Sequence, residues 1–392
     1  MKILYVVHSN ATGGSNQALF KILDYMRQLH EVRVLCPKPV NDKAIVVDYC
    51  KENNIVCYAD VFYDALVYGT DKNVIRRFIR TCGRIYRHFR ARKVFKTIIR
   101  QYNPDIVHSN NGIIDIALDA CIKYRIPHVW HLREYQDLDF KMSIIPSKRY
   151  WMKKIHKKGN YNIAITKGIF DYFKLRPSDK QIYDGVLKSK KIILPSIKND
   201  NKYFLFVAGC IHTEGKGFLD ALHAFAIFHL KHHDYRLIAI GAIGENDYKK
   251  QCDKFISQQQ LSKCIECLGV KNNVDEFMAS ATAILVPSTF EGFGFITVEA
   301  MSNGCIVIGR NTAGTKEQFD NGANHYGSEI GYRFENVDGM ASCMEQIVSE
   351  DTEDMRKRAK EYVYNTYTVS KSCELLDKYY HDIKDGKESF IC

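Results

Sequence analysis

A chain of 392 residues is longer than one ordinary hydrophobic core requires, so its length predicts two domains. With 46% hydrophobic and 26% charged residues it has the composition of a soluble globular protein, and no apolar run is long enough for a bilayer span or a signal peptide. Thirteen cysteines and a net charge of +11 favour a cytoplasmic protein with buried thiols and an anionic partner, and they argue against a disulfide framework.

The first half of the sequence alternates short apolar runs with helical patterns. Residues 3–7 form a continuous β-prone run, which is typical of a strand buried on both faces. Residues 15–29 repeat apolar residues at helical spacing, with Ser15 as the predicted N-cap. Further strands are predicted at residues 32–36, 55–58, 105–108, 128–131 and 162–165. This alternation indicates parallel βαβ units.

The stretch 185–202 interrupts the alternation, because it is rich in Lys, Ser and Asn and resembles a linker. After it we predict strands at 203–208, 236–240, 283–286 and 305–308, and helices at 216–230, 247–259 and 295–303. The sequence therefore predicts an α/β protein with two doubly wound parallel-sheet domains, 1–190 and 200–365. A C-terminal helical segment, 366–392, is expected to pack back on the first domain. Ligands are expected at the carboxyl ends of the strands, in a cleft between the domains.

The first βα loop contains adjacent glycines, Gly13 and Gly14. Such glycines let backbone N–H groups approach an anion at a helix N-terminus, although a tight turn without a ligand would also use them. The loop is not Gly-x-Gly-x-x-Gly, and the second predicted strand ends at Cys36 without an acidic residue. Both features disfavour a dinucleotide-dependent oxidoreductase.

A second glycine motif follows the predicted strand 283–286. It consists of a carboxylate, a Gly-Phe-Gly turn and a helix with another carboxylate: Glu291, Gly292, Phe293, Gly294, Phe295 and Glu299. The bare amides and the helix N-terminus suit a phosphate. Glu299 could accept hydrogen bonds from a sugar diol with both oxygens, and Glu291 could hold the hydroxyls of a second sugar. The alternative is that both are solvated surface acids.

Glu-x7-Glu followed by Ala300-Met301-x-x-Gly304 resembles the signature of retaining glycosyltransferases of family 4, which have the GT-B fold. The resemblance covers nearly the whole chain. It includes the Gly13-Gly14 loop and residues 104–109, 127–131, 182–186, 208–217 and 311–317.

This resemblance implies a role for each matching residue. Glu299 would bind the nucleotide ribose, and Lys216 and Gly14 would contact the diphosphate. Glu291 would bind the donor sugar, and His131 would reach across the cleft to the donor near the reacting centre. Backbone around Val270 would contact the base.

The resemblance also implies the chemistry. The co-substrate would be a nucleotide sugar, with a UDP- or GDP-sugar expected, and the acceptor a glycan or lipid-linked glycan of a surface polysaccharide or glycolipid pathway. The family retains anomeric configuration, so the leaving phosphate would take the acceptor's proton. No cofactor and no metal are expected.

Cys210 departs from the family pattern, because an arginine is frequent there. A charge-assisted hydrogen bond is worth about 1.5–3 kcal/mol. We expect His212 or Arg133 to supply the missing contact to the diphosphate. Two alternatives remain open: a nucleotide-sugar epimerase on the same scaffold, or a non-catalytic partner of a transferase.

Residues 72–100 contain eleven Lys and Arg residues and no Asp or Glu. Apolar residues recur there at helical spacing, and five arginines fill much of the remaining surface: Arg76, Arg77, Arg80, Arg84 and Arg87. Each basic residue near an anionic membrane contributes about 1 kcal/mol. We therefore predict a peripheral protein of the inner membrane face, with no nucleic-acid partner. An ordinary domain helix whose apolar stripe faces the core is the alternative, and the oligomeric state stays open.

Overall fold

The computed structural model describes residues 1–11, 13–40, 44–63, 73–112, 114–140, 143–188 and 202–386. The chain divides into two compact units. The first contains Met1–Gly185 and the segment that begins at Val369, and the second is Val186–Thr368. Most of the predicted linker, residues 189–201, lies outside the described residues.

The first unit has one parallel sheet. Its strands are β1 (Lys2–Val6), β2 (Glu31–Leu35), β3 (Val56–Tyr58), β4 (Ile106–Ser109), β5 (His128–Leu132), β6 (Asn160–Ala164) and β7 (Lys180–Gln181). Its helices are α1 (Gly14–Met26), α2 (Ile45–Glu52), α3 (Val74–Tyr102), α4 (Leu118–Tyr124), α5 (Asp137–Phe140), α6 (Lys148–Ile155), α7 (Lys167–Tyr172) and, after the second unit, α15 (Val369–Lys384).

Strand β1 lies inside this sheet, whose order is β3-β2-β1-β4-β5-β6-β7. Ile3 and Tyr5 belong to one hydrophobic core, and Leu4 and Val6 to another on the opposite face. A continuous apolar run is therefore needed, since both faces of the strand are buried. Helix α15 contributes Tyr380 to the same core as Ile3, so the C-terminal helix packs into the first unit.

The second unit has its own parallel sheet. The strands are β8 (Tyr203–Cys210), β9 (Arg236–Ala242), β10 (Ile265–Cys267), β11 (Ala283–Val286), β12 (Val307–Arg310) and β13 (Tyr332–Phe334), in the order β10-β9-β8-β11-β12-β13. The helices are α8 (Phe218–His229), α9 (Asp247–Gln258), α10 (Val274–Ser280), α11 (Phe295–Ser302), α12 (Ala313–Tyr326), α13 (Val337–Ser349) and α14 (Glu353–Thr366), with a 3-10 turn at Glu214–Lys216.

The prediction of two doubly wound α/β domains is confirmed, and two local predictions are wrong. Helix α1 begins at Gly14 with Gly13 as its N-cap, so Ser15 lies inside the helix and does not cap it. The strand predicted at 305–308 is Val307–Arg310. The short strands β7 and β13 were not predicted.

Candidate active site

The second sheet changes its direction of winding at strand β8. Strand β9 lies on one side of β8 and strand β11 on the other. In open parallel sheets a crevice forms at such a point, and ligands bind there. The loop after β8 holds Lys216, and the loop after β11 holds Glu291 and the glycines before α11. Two motifs far apart in sequence thus meet at one edge of the second unit.

Backbone contacts hold these two loops together. The amide of Thr289 donates to the carbonyl oxygen of Gly215 over 3.1 Å. Gly217 has a φ of +75°, and a Cβ at this position would lie 2.5 Å from the carbonyl oxygen of Pro287. A side chain would be strained and would clash, so the close approach of the loops depends on this glycine.

Lys216 and Glu291 form an ion pair at this edge. The Nζ of Lys216 lies 2.6 Å from Oε1 of Glu291, and the side chains are 39% and 22% exposed. The sequence assigned these residues to neighbouring parts of a ligand and did not predict that they pair with each other. The ligand-free site is therefore less positive than the sequence indicates, because the lysine already faces a carboxylate.

The turn before helix α11 is braced from helix α12. Gly294 is the N-cap of α11 with a φ of +89°, and no side chain caps the helix. Gln318 of α12 donates from Nε2 to the carbonyl oxygens of Phe293 (2.7 Å) and Gly294 (3.3 Å). A Cβ at Gly314 would lie 2.3 Å from the carbonyl oxygen of Phe293. The amides at the start of α11 are thus held in place by packing that involves no side-chain cap.

The remaining predicted donor-site residues lie around this turn. Glu299 is in α11 and is partly buried, and Phe295 is the first residue of that helix. The Phe295 ring packs edge to face against the buried ring of Phe293, with the centroids 5.2 Å apart. Val270 follows β10 and is 71% exposed, as a residue offering its backbone to a ligand needs to be.

Neither Cys210 nor His212 provides the positive charge that an arginine would bring to the diphosphate. Cys210 ends β8, and its Sγ lies 3.1 Å from the Cβ that a side chain at Gly244 would have. His212 is buried, its Nδ1 has no hydrogen-bond partner, and desolvation lowers its pKa. At neutral pH His212 is therefore an uncharged imidazole that could donate a hydrogen bond but would not replace the charge of an arginine.

The first sheet changes its direction of winding between β1 and β4, where the Gly13-Gly14 loop lies. Asn10 donates from Nδ2 to the carbonyl oxygen of Pro37 over 2.6 Å. Asn16 donates from Nδ2 to the carbonyl oxygens of Ser9 (2.9 Å) and Ala11 (2.8 Å). The described part of the loop is thus fixed by two buried asparagines that the sequence analysis did not single out.

Arg133, the other candidate for the missing cation, is buried in the first unit. Its Nη1 forms an ion pair with Asp184, and its Nε donates to the carbonyl oxygen of Asn110 over 3.1 Å. Asp184 is buried as well, so each charge has its partner within the first unit. Arg133 is therefore neutralised inside the first unit, which disfavours its role as a spare diphosphate ligand.

His131 lies at the end of β5 and is only 3% exposed. Its Nδ1 is 3.2 Å from Nε2 of His108 and 3.3 Å from Nη2 of Arg133. Its Nε2 is buried and has no hydrogen-bond partner among the residues that the structure describes. Desolvation, with a further contribution from the charge of Arg133, holds the pKa of His131 well below its usual value. His131 is therefore neutral and has one ring nitrogen available to a ligand.

Sequence reasoning missed several residues that shape these sites. Gln318, Asn10 and Asn16 are ordinary polar residues on helices or loops, and nothing in their spacing marks them. His108 gave a weak signal, because it ends a predicted buried strand as His131 does. Tyr380 gave none, since it lies 272 residues from His108 in the chain.

Helix α3 is the observed counterpart of the predicted basic helix. Its second half packs on the core through Ala91, Phe95 and Ile98. Its first half exposes large apolar residues to between 58% and 72%: Ile75, Phe78, Ile79, Tyr86 and Phe89. Packing on the hydrophobic core therefore explains the apolar residues in the second half of α3 but not those in its first half. Among the described helices, none is both long and apolar enough to cross a membrane.

Comparison with known families assigns both halves of the chain. The family described as Glycosyltransferase Family 4 matches residues 12–182, and Glycosyl transferases group 1 matches residues 189–366. Each half of the chain is therefore similar to a family of glycosyltransferase domains. The Glu-x7-Glu segment of residues 291–299 lies within the second match.

Similar glycosyltransferases come from several organisms. An uncharacterized glycosyltransferase of Methanocaldococcus jannaschii is 29% identical over 240 residues, which span 60% of this chain and 64% of that relative. The alignment thus covers less than two thirds of the archaeal relative. The capsular polysaccharide biosynthesis glycosyltransferase CapH of Staphylococcus aureus is 26% identical over 282 residues, or 65% of this chain and 72% of CapH.

A solved structure extends the likeness to the whole chain. Anabaena HepE in complex with UDP has a TM-score of 0.74 at 18% identity, and the match covers 97% of this chain and 100% of HepE. HepE in complex with UDP-glucose gives a TM-score of 0.71. This likeness confirms the GT-B fold prediction.

Proposed function

We propose that this glycosyltransferase transfers a sugar from a nucleotide-sugar donor to a glycan acceptor with retention of anomeric configuration. The observation that carries the proposal is the meeting of Lys216, Glu291 and the uncapped start of α11 at the winding change of the second sheet. A cation and free helix amides suit a diphosphate, and the flanking carboxylates suit hydroxyl groups. A site for phosphate alone would have no use for Glu291 and Glu299.

Each part of the donor has a proposed partner in the second unit. The diphosphate lies between Lys216 and the amides of α11, the ribose hydroxyls donate to the Glu299 carboxylate, and the base lies against the backbone at Val270. Lys216 has to leave Glu291 or to bridge it to the diphosphate when the donor binds. Glu291 then turns to the hydroxyls of the transferred sugar. UDP is the first nucleotide to test, because HepE has been solved with UDP and UDP-glucose.

Three residues of the first unit complete the proposed assignment: Gly13, Gly14 and His131. Gly13 has extended backbone with a φ of 174°, and a Cβ there would meet nothing within 4 Å. The fold therefore does not itself require glycine at this position, whereas the close approach of a phosphate to Gly13 and Gly14 would. His131 offers its unpartnered Nε2 to the donor sugar.

The proposed reaction needs no protein nucleophile. The bond between the anomeric carbon and the diphosphate oxygen breaks, and the acceptor oxygen bonds to the same face of the sugar. The acceptor proton passes to the departing phosphate oxygen. Positive charge and helix amides at that oxygen stabilise the developing negative charge, as in other electrostatically catalysed group transfers.

The acceptor is proposed to be lipid-linked and reached at the inner face of a membrane, as part of the synthesis of a surface polysaccharide or glycolipid. The first half of α3 exposes aromatic and aliphatic side chains among its arginines, which is the composition of an interfacial helix on an anionic surface. CapH, a similar protein, acts in capsular polysaccharide biosynthesis.

A product assay tests the reaction. The protein is incubated with UDP-glucose, UDP-N-acetylglucosamine, UDP-galactose or GDP-mannose, with and without a polyprenyl-diphosphate-linked sugar, and nucleotide release and the sugar's NMR spectrum are followed. Acceptor-dependent release that Lys216→Ala abolishes and Lys263→Ala, an exposed lysine of the same unit, preserves is expected. An isomerised donor without acceptor would identify an epimerase instead. Failure of every nucleotide to bind would favour a non-catalytic partner.

A further inference from the structure

Three buried side chains link helix α15 to His131. The hydroxyl oxygen of Tyr380 lies 2.6 Å from Nδ1 of His108, and Nε2 of His108 lies 3.2 Å from Nδ1 of His131. Tyr380 and His108 are fully buried, and His131 is 3% exposed. The chain of contacts ends at the unpartnered Nε2 of His131, so it connects a residue near the C-terminus to a group of the proposed site.

Arg133 determines where the proton of His131 lies. A guanidinium has donors and no acceptor, and Nη2 of Arg133 is 3.3 Å from Nδ1 of His131. A proton on that Nδ1 would face the N–H of Arg133. The nitrogen is therefore unprotonated and accepts a hydrogen bond through its lone pair. Arg133 is fixed in this position by Asp184 and by the Oδ1 and carbonyl oxygens of Asn110. The neutral ring of His131 therefore carries its proton on Nε2.

The same reasoning fixes His108 and Tyr380. Since Nδ1 of His131 accepts, Nε2 of His108 donates to it, and Nδ1 of His108 has to accept in turn. The Tyr380 hydroxyl supplies that proton. The Tyr380 hydroxyl could also donate to the hydroxyl oxygen of Tyr5, but that distance is 3.3 Å against 2.6 Å to Nδ1 of His108, so the proton lies toward His108. Burial raises the pKa of Tyr380 far above its usual value, so the hydroxyl stays protonated.

We propose that Arg133, His108 and Tyr380 are positioning residues that hold His131 as the Nε2–H tautomer, so that it donates a hydrogen bond to substrate and does not act as a base. The inference rests on the proposed function for its substrate and on the geometry of the first unit for its tautomer. A buried N–H without an acceptor is unfavourable, and a substrate oxygen would relieve it. The C-terminal helix α15 thereby takes part in the site without touching substrate.

The tautomer is measured directly on the free protein. Long-range ¹H–¹⁵N correlation spectra of the ¹⁵N-histidine-labelled full chain distinguish the two ring nitrogens, and His131→Gln assigns the signals. We expect an unprotonated Nδ1 and a protonated Nε2 in His131 at pH 7. A proton on Nδ1, or a doubly protonated ring, would overturn the proposal even if the enzyme transfers sugar.

Tyr380→Phe tests the hydrogen-bond relay, which runs from Tyr380 through His108 to His131. Tyr379→Phe is its matched control. Both tyrosines are buried on α15, but the hydroxyl of Tyr379 lies 3.5 Å from the carbonyl oxygen of Asn162. Tyr380→Phe should lower kcat about tenfold with an unchanged KM for the donor and give a mixture of His131 tautomers, because one hydrogen bond of the relay is lost. Tyr379→Phe should leave both unchanged.

Two results of this comparison contradict the relay: a wild-type tautomer in Tyr380→Phe, or an equal loss of kcat in both variants. If the wild-type protein turned over no nucleotide sugar, the proposed function would fail. The spectra would still decide the tautomer, because they require no substrate.

Discussion

Replacing Glu291 by Gln separates the two roles that meet in the Lys216–Glu291 pair. The substitution keeps the size of the side chain and removes its charge. The two side chains are 39% and 22% exposed, and pairs of this kind contribute about 1 kcal/mol at most to stability. The folded protein should therefore lose at most that amount, and Lys216 should be released to meet a diphosphate.

Binding and turnover should then change in opposite directions. Affinity for free UDP should stay equal or rise by up to about fivefold, since the carboxylate no longer competes for Lys216. Turnover of the sugar donor should fall by roughly 10- to 150-fold, because a charge-assisted hydrogen bond to the sugar is worth about 1.5–3 kcal/mol.

Calorimetric titration with UDP and initial rates with the sugar donor measure the two effects. Glu266→Gln is the matched control, because Glu266 forms an ion pair of 2.8 Å with Arg236 at similar exposure on strand β10. That variant should leave both quantities unchanged. Weaker UDP binding by Glu291→Gln together with wild-type turnover would refute the assignment of Glu291 to the sugar and Lys216 to the diphosphate.

Three further predictions follow from the proposed sites. Glu299→Ala should weaken UDP and UDP-sugar by the same factor in calorimetry, because the ribose is common to both; unchanged UDP affinity would contradict this. Activity should survive EDTA, because Lys216 and the helix amides of α11 would neutralise the diphosphate in place of a metal; loss of activity that Mn²⁺ restores would contradict this. Flotation with anionic liposomes should fall with salt and in the α3 variant Arg76, Arg77, Arg80 and Arg84→Gln, but not when four exposed lysines of the second unit are changed (Lys231, Lys250, Lys254 and Lys263→Gln); equal flotation with neutral vesicles would contradict it.

The fold was predictable because its signals are local. Buried parallel strands such as residues 283–286 appear in the sequence as short continuous apolar runs, and glycines occur in the turns that follow them. The loops at Lys216 and Glu291 were expected at one ligand only because the family resemblance implied it. The end of α1 that was predicted wrongly shows the limit: Ser15 is a favourable cap residue, but a glycine N-cap served instead.

The contacts within the sites were not predictable, because they join residues far apart in sequence. Lys216 and Glu291 are 75 residues apart, and no periodicity relates them. Nothing in the sequence relates Asp184 to Arg133, and their ion pair is visible only in the structure. Helical spacing identified α3 but could not show that its first half exposes its apolar residues while its second half buries them.

The central claim, a nucleotide-sugar site built on the second sheet, is tested most directly by a thermal-shift titration. Wild-type protein and Glu299→Ala are titrated with UDP, GDP, ADP and their common sugars. One nucleotide and its sugars should stabilise the wild-type protein by about 2.7 kcal/mol at 100 times the dissociation constant. Glu299→Ala should need a higher concentration for the same shift. The absence of any shift in wild-type protein, or an identical titration for Glu299→Ala, would contradict the account.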